Sequence, residues 1–291
     1  MIEKLRKIYD SLIFFEDIYP EDTENYNWFL TNDHELIGIA KEELSERDLS
    51  LLNALLRPYH ITTPEMSAEE KKWHSLLHSN YPITMEADSF RFIYFSFSRH
   101  QLEPASFNEA IQAFFAKQIP IIWTNEHEGI IVETDPDEDL SYEQIIDVLM
   151  SDLYVKIKFM IGALHDSLAH AKKYYDMLVH AAASTFPHIE KAVISHTEAI
   201  PYIVLDQADP QFLEDTASLI LGEFRNDEEL LKTIEMFFKC NLNISVTAKE
   251  LYMHRNSLQY RLDKFTDKTG IDIRQFHEAI TAYLAILSIK K

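Results

Sequence analysis

Residues 243–265 constrain this chain most tightly. They read Asn-Ile-Ser-Val-Thr-Ala-Lys-Glu-Leu-Tyr-Met-His-Arg-Asn-Ser-Leu-Gln-Tyr-Arg-Leu-Asp-Lys-Phe. The second half carries Leu258, Leu262 and Phe265 at i, i+4 and i+7, a one-sided apolar stripe of helical period. The first half places Val246, Ala248 and Leu251 at helical spacing behind Ser245, a residue type that caps helix N-termini. Ala248 is small enough for a second helix to cross closely. Tyr252 and Met253 make a short turn between the two. The pattern predicts a helix over 245–251, a tight turn and a second helix, which is a helix-turn-helix.

Opposite the stripe the second helix is rich in hydrogen-bond donors. Arg can donate twice to guanine, and Gln or Asn can pair bidentately with adenine. Arg255 and Gln259, one helical turn apart, share a face. Ser257 and the first-turn amides suit phosphate oxygens, and Arg261 and Lys264 extend contact along a nucleic-acid backbone. With Ser245, His254, Asn256 and Tyr260 these make the candidate DNA-binding set, Arg255 foremost. Spacing leaves open which side chains would meet bases and which phosphates. An ordinary helical hairpin is the alternative reading.

Charge bears on this. The chain has 27 Lys plus Arg against 48 Asp plus Glu, a formal net charge of −21. In residues 241–270, Lys249, Arg255, Arg261, Lys264 and Lys268 outnumber Glu250, Asp263 and Asp267, giving +2 and leaving −23 for the rest. An acidic protein is repelled by DNA unless its charge is segregated, and here the locally positive segment is the candidate reader. One copy would bind weakly, which points to a homodimer or higher homo-oligomer presenting two reading helices to a two-part operator.

Residues 243–273, with Thr-Ala-Lys-Glu-Leu-Tyr-Met-His-Arg-Asn-Ser-Leu-Gln-Tyr-Arg-Leu and then Lys-Thr-Gly-Ile-Asp-Ile, resemble the C-terminal domain of PucR/CdaR-type bacterial transcriptional regulators. The His-Arg-Asn-Ser-Leu-Gln-Tyr-Arg-Leu run is close to that family's signature. The same register resembles the helix-turn-helix of the factor for inversion stimulation, which by motif position implies DNA contact by His254, Arg255, Ser257 and Gln259. Where that factor has Gly in the turn this chain has Tyr252, which suits the PucR-type pattern better. The resemblance implies a sequence-specific regulator that binds double-stranded DNA. It also implies that the preceding domain is similar to a degenerate diguanylate cyclase domain.

The flanking pattern supplies further helices. Asp209-Pro210 reads as a cap followed by Pro at the first helical position, with a helix to about 223 burying Phe212, Leu213, Leu219 and Ile220. Asn226 or Asp227 starts another, with Leu230, Ile234, Phe237 and Phe238 as its apolar face. Gly270 stops the reading helix. A last helix over 274–289 carries Phe276, Ile280, Tyr283, Leu284 and Leu287 on one side.

Upstream, residues 90–97 read Phe-Arg-Phe-Ile-Tyr-Phe-Ser-Phe, a strong strand whose aromatics suit core and sheet–helix packing. A helix over 104–117, strands over 120–123 and 130–133 about a turn at 125–129, a helix over 141–150, a strand over 153–161 and a helix over 166–183 follow. This β-α-β-β-α-β-α order predicts an antiparallel sheet covered by helices on one face, the ferredoxin-like arrangement. The hairpin, Thr124-Asn125-Glu126-His127-Glu128-Gly129, lacks the paired glycines of a cyclase, so catalysis is not expected there.

Residues 1–15 show a helical rhythm of Ile2, Leu5, Ile8, Tyr9, Leu12 and Ile13. A hairpin over 26–30 and 35–40 about a turn at 31–34, a capping box from Ser45 to Asp48 opening a helix to 57, a flexible join over 62–66 and a helix over 67–78 come next. The expected fold class is α+β. Residues 1–85 form a small mixed region (a sensory module or an arm), 86–205 the ferredoxin-like domain and 206–291 an all-α helix-turn-helix domain.

Other chemistry finds little support. The single Cys240 excludes an intramolecular disulfide and a Cys-rich zinc site. Five glycines leave no phosphate-cradling loop, and no Gly-x-Ser-x-Gly elbow occurs. His74 and His78 are spaced to chelate a metal, but chance explains them better among 13 histidines. No cofactor, metal or membrane partner is expected. The absence of a long uncharged apolar run and the early acidic residues point to the cytoplasm. The expectation is a non-enzymatic transcriptional regulator, modulated by a small-molecule effector at the upstream domains. The competing class is an assembly protein that keeps a relic helix-turn-helix.

Overall fold

The computed structural model describes residues 2–14, 25–31, 36–59, 64–78, 89–99, 101–115, 117–136 and 140–290. Two compact units divide the chain, one of residues 1–179 and 191–196, the other of residues 180–190 and 197–291.

The first unit opens with α1 (Ile2–Leu5) and a four-stranded sheet, β1 (Ile13–Phe14), β2 (Tyr26–Leu30), β3 (Leu36–Ala40) and β4 (Arg57–Tyr59), in the order β1-β3-β2-β4. The helix expected over residues 1–15 is therefore corrected to a single turn followed by a short strand. Glu43 captures the amides of Asp10 at 2.8 Å and Ser11 at 3.0 Å, which a continuing helix would need for itself. Tyr9 and Leu12 instead enter a small core with Phe29, Ile37, Ile39 and Leu52. The Ser45–Asp48 capping box is formed and opens α2 (Glu46–Leu55). That helix stops short of Arg57 because residues 57–59 pair with β2. The β2–β3 hairpin is formed, while its turn falls on residues 32–35, outside the described residues. Residues 62 and 63 of the join expected over 62–66 also lie outside them.

The central sheet contains β5 (Phe90–Phe97), β6 (Ile121–Asn125), β7 (Glu128–Thr134), β8 (Ile157–Ile161) and β9 (Val193–Ser195), in the order β6-β7-β5-β8-β9. With α4 (Pro104–Gln112) and α5 (Tyr142–Leu153) the first four strands make the antiparallel ferredoxin-like topology, and β9 adds in parallel beside β8. Tyr154, in the left-handed region at φ 53°, ends α5, so the strand expected from 153 starts only at Ile157.

Strand alternation gives β5 two buried faces. Ile93, Phe95 and Phe97 pack with Phe107 and Ile111 of α4 and Ile145 and Leu149 of α5. On the other side Trp73 of α3 (Ala68–His78) meets Phe90 and Phe92, with ring centroids at 5.5 and 5.9 Å. Tyr175 of α6 (Ala171–Thr185) meets Phe92 at 6.5 Å. Helices thus cover both faces, not the one expected. Apolar residues at both odd and even positions of β5 are what a strand buried on both sides requires.

His78 lies on this second face. Burial pushes its pKa from 6.5 down to about 4, with His74 and Lys172 acting in the same direction. The folded chain holds it neutral and the unfolded chain protonates it more readily. Its contribution is full above about pH 6.5 and is lost as pH falls toward 4. Thermal melts of the full chain should show a steeper loss of Tm across that window than His78→Leu shows. Superimposable profiles would remove His78 as the cause.

The second unit is helical: α7 (His196–Asp206), α8 (Pro210–Leu221), α9 (Glu228–Lys239), α10 (Ile244–Glu250), α11 (Arg255–Thr269) and α12 (Phe276–Ser288). The Asp209 and Asp227 side chains cap α8 and α9 as their positions predict. The buried faces differ from expectation. On α8, Leu213, Ala217 and Leu221 are inside, while Phe212 and Leu219 are 63% and 82% exposed. On α12 the inner face is Ala279, Ala282, Ala285, Ile286 and Leu287, and Phe276 and Ile280 are exposed. Small side chains let helices approach closely, so the alanines, not the largest hydrophobes, mark the contact.

Candidate nucleic-acid interface

The helix-turn-helix is α10, a turn at residues 251–254, and α11. Two left-handed residues, Asn241 at φ 53° and Leu242 at φ 60°, bring Asn243 to the start of α10. Its Oδ1 accepts from the amides of Ser245 at 3.0 Å and Val246 at 3.1 Å. The N-cap is therefore Asn243 and not Ser245, which sits inside the first turn and is exposed. Starting earlier lets Ile244 join the core packing. The Met253 amide donates to Ala248 O at 2.9 Å and closes the turn, with Tyr252 left-handed at φ 50°.

The α11 stripe is seated as expected. Leu258, Leu262 and Phe265 are fully buried in a core with Leu230, Ile234 and Phe237 of α9, Ala248 of α10 and Ile286 of α12. This fixes which side of α11 faces outward. Arg255, Asn256, Ser257 and Gln259 are exposed, and their side chains bond to no described residue. His254 is the N-cap and supplies no side-chain cap, so the first-turn amides stay open to an acceptor. Tyr260 is exposed. Lys264 is exposed as well, its ammonium 5.5 Å from the Phe224 ring centre.

Arg261 is placed differently. Its guanidinium donates to Glu229 Oε1 at 2.6 Å and to Thr233 Oγ1 at 3.2 Å, both on α9. A surface groove of about 520 Å³ lies along α11 here, bordered by Asn256, Tyr260 and Lys264 on one side and Asp227 and Glu229 on the other. Further along the helix, Asp263 accepts from Arg274 at 2.7 Å and Lys268 pairs with Glu223 at 3.3 Å. Among the described residues, Arg261 and Lys268 of α11 are thus paired with acids, while Arg255 and Lys264 have no ion pair.

The central-domain hairpin has a structural use for one of its carboxylates. Glu128 accepts from Ser96 Oγ at 3.2 Å and Asn125 Nδ2 at 3.0 Å, which ties the tip down. Gly129 is required there, because a Cβ would stand 2.4 Å from Ile122 O. Among the described residues no helix is long and apolar enough to cross a membrane.

A ferredoxin-like domain joined to an all-helical unit with an open-faced second helix defines a helix-turn-helix regulator. Residues 230–288 match the PucR C-terminal helix-turn-helix domain. The protein YxkF of Bacillus subtilis is 31% identical over 273 residues, covering 89% of this chain and 90% of that protein. The chain belongs to the PucR/CdaR-type family of bacterial transcriptional regulators. The proline-responsive transcriptional activator PutR of Bacillus subtilis is 34% identical over 85 residues, covering 28% of this chain and 21% of that protein. The carbohydrate diacid regulator of Escherichia coli is 34% identical over 61 residues, covering 21% of this chain and 16% of that protein. PutR and the diacid regulator are regulators by name, and this chain is a transcriptional regulator, not an enzyme. The matched share of PutR and of the diacid regulator is small, so the proline response in PutR's name stays a property of that protein.

Proposed function

We propose that the chain binds specific DNA sequences as a homodimer through the first half of α11, under the control of a small-molecule effector at the upstream domains. The observation that carries this is the row of exposed donors without a partner among the described residues, Arg255, Asn256, Ser257 and Gln259, on a helix whose other face is locked into the core. Arg255 and Gln259 would meet base edges. Ser257, His254, Asn256, Ser245 and the first-turn amides would hold phosphates, with Tyr260 and Lys264 flanking. The reader at +2 works against −23 elsewhere, so two copies on two half-sites are needed for useful affinity. An effector acts only through different affinity for two arrangements of that pair. Such a protein works in the cytoplasm, beside its operator.

Arg255→Ala tests the reading. A duplex enriched from a random-sequence pool by the full chain should bind the variant more weakly by about 1–3 kcal/mol, with an unchanged far-UV spectrum. Equal affinity would remove Arg255 from the reading surface. The chain's net charge of −21 favours a second reading, in which the helix-turn-helix serves assembly alone. That reading expects no enriched duplex.

A further inference from the structure

Resting on the DNA-binding reading above, we infer that Arg261 is a positioning residue: it seats the reading helix on α9 and touches no DNA itself. Its place among the donors of α11 groups Arg261 with the contact residues, but its surroundings set it apart. Arg255 has no partner among the described residues, whereas Arg261 is held at both ends of its fork. Nη1 donates to Thr233 Oγ1 at 3.2 Å and Nη2 to Glu229 Oε1 at 2.6 Å. Thr233 is 3% exposed, and its hydroxyl donates to Glu229 O at 2.8 Å, which leaves its oxygen lone pairs aimed at Arg261. Glu229 and Thr233 stand one helical turn apart on α9, so a planar fork bridges them and a single ammonium does not.

The position of Arg261 in the sequence strengthens the case. It is the neighbour of Leu262 and follows Leu258 by three residues, and both leucines are fully buried. A side chain there fixes the roll of α11 about its buried stripe, and with it the direction in which Arg255 and Gln259 point. The acids beside it add a second effect. Asp227 and Glu229 border the groove along α11 and would repel a phosphate backbone. Paired with Arg261, Glu229 is offset. An Arg261 that left for a phosphate would bare a carboxylate beside the same strand.

The test uses the full chain and the duplex enriched from the random pool, with affinity followed against salt. Arg261→Lys keeps the charge and breaks the fork. It should weaken binding by roughly threefold, the size expected for a pair whose carboxylate is 77% exposed. Arg261→Gln should weaken binding too, yet run parallel to the unaltered chain in log K against log salt. A lost phosphate contact would instead reduce that slope by about 0.9. Removing the stranded acid as well, in Arg261→Gln/Glu229→Gln, should recover part of the affinity. Unaltered affinity in Arg261→Lys, or the reduced slope in Arg261→Gln, would overturn the inference. Should Arg261→Gln fail to fold, Arg261→Lys carries the test. If the unaltered chain binds no duplex, the DNA reading itself has failed and this inference with it.

Discussion

Phe265→Ala is expected to destabilise the helical unit by about 3–5 kcal/mol, the range for deleting a buried aromatic ring. Phe265 is fully buried, packs in one core with Leu258, Leu262 and Ile234, and lies 5.6 Å from the Phe224 ring. Of its neighbours, Leu258 and Leu262 share α11, while Ile234 lies on α9 and Phe224 in the segment 222–226, so closing the void would require separate elements to move together. Denaturant melts of the full chain should show the loss, and DNA affinity should fall with the folded fraction. This differs in kind from Arg255→Ala, which leaves the melt in place and removes only binding. A loss under ~1 kcal/mol would mean that the stripe does not dock α11 as described.

The second large effect lies in the central sheet. Arg91 and Glu133 face each other across β5 and β7, with Arg91 Nε donating to Glu133 Oε2 at 2.5 Å. Glu133 is 3% exposed, the Tyr142 hydroxyl also donates to it, and the Arg91 guanidinium lies 4.9 Å from the Tyr142 ring centre. Burial and the Glu133 carboxylate both push the Tyr142 hydroxyl pKa up, so it stays a donor. Arg91→Ala strands a buried carboxylate with that single partner and should cost about 3–5 kcal/mol. Arg91→Ala/Glu133→Leu removes the stranded charge and should recover most of the loss. A double variant no more stable than Arg91→Ala would mean that the pair is not what the site depends on.

These sites show what a sequence discloses and what it withholds. The helix-turn-helix was legible because its information is local. Leu258, Leu262 and Phe265 repeat at helical period, and Gly270 ends the helix at φ 74°, where few other residues sit comfortably. The ferredoxin-like order was legible because each strand and helix carries its own period. What escaped depends on partners far away in the chain. Glu43 reaches back to the amides of Asp10 and Ser11 and overrides a helical rhythm. Trp73 and Tyr175 cover a sheet face whose need for cover is visible only as the aromatics Phe90, Phe92 and Tyr94 at alternate positions of β5. Phe212 and Leu219 match an inner face in size, yet Ala217 and the alanines of α12 take it. The strand β9 is three residues long, too short to show a period. In the reading helix, exposure of Arg255 follows from the stripe, but the capture of Arg261 by Glu229 spans 32 positions and leaves no mark in either segment.

The most direct test of the central claim is a salt titration of the full chain on the enriched duplex and on a scrambled duplex of the same composition. Specific binding by α11 requires affinity that falls steeply with salt, by a slope of about −0.9 for each phosphate neutralised, and a preference for the enriched duplex that Arg255→Ala abolishes. Equal affinity for the two duplexes at every salt concentration, or no binding at low salt, would contradict it.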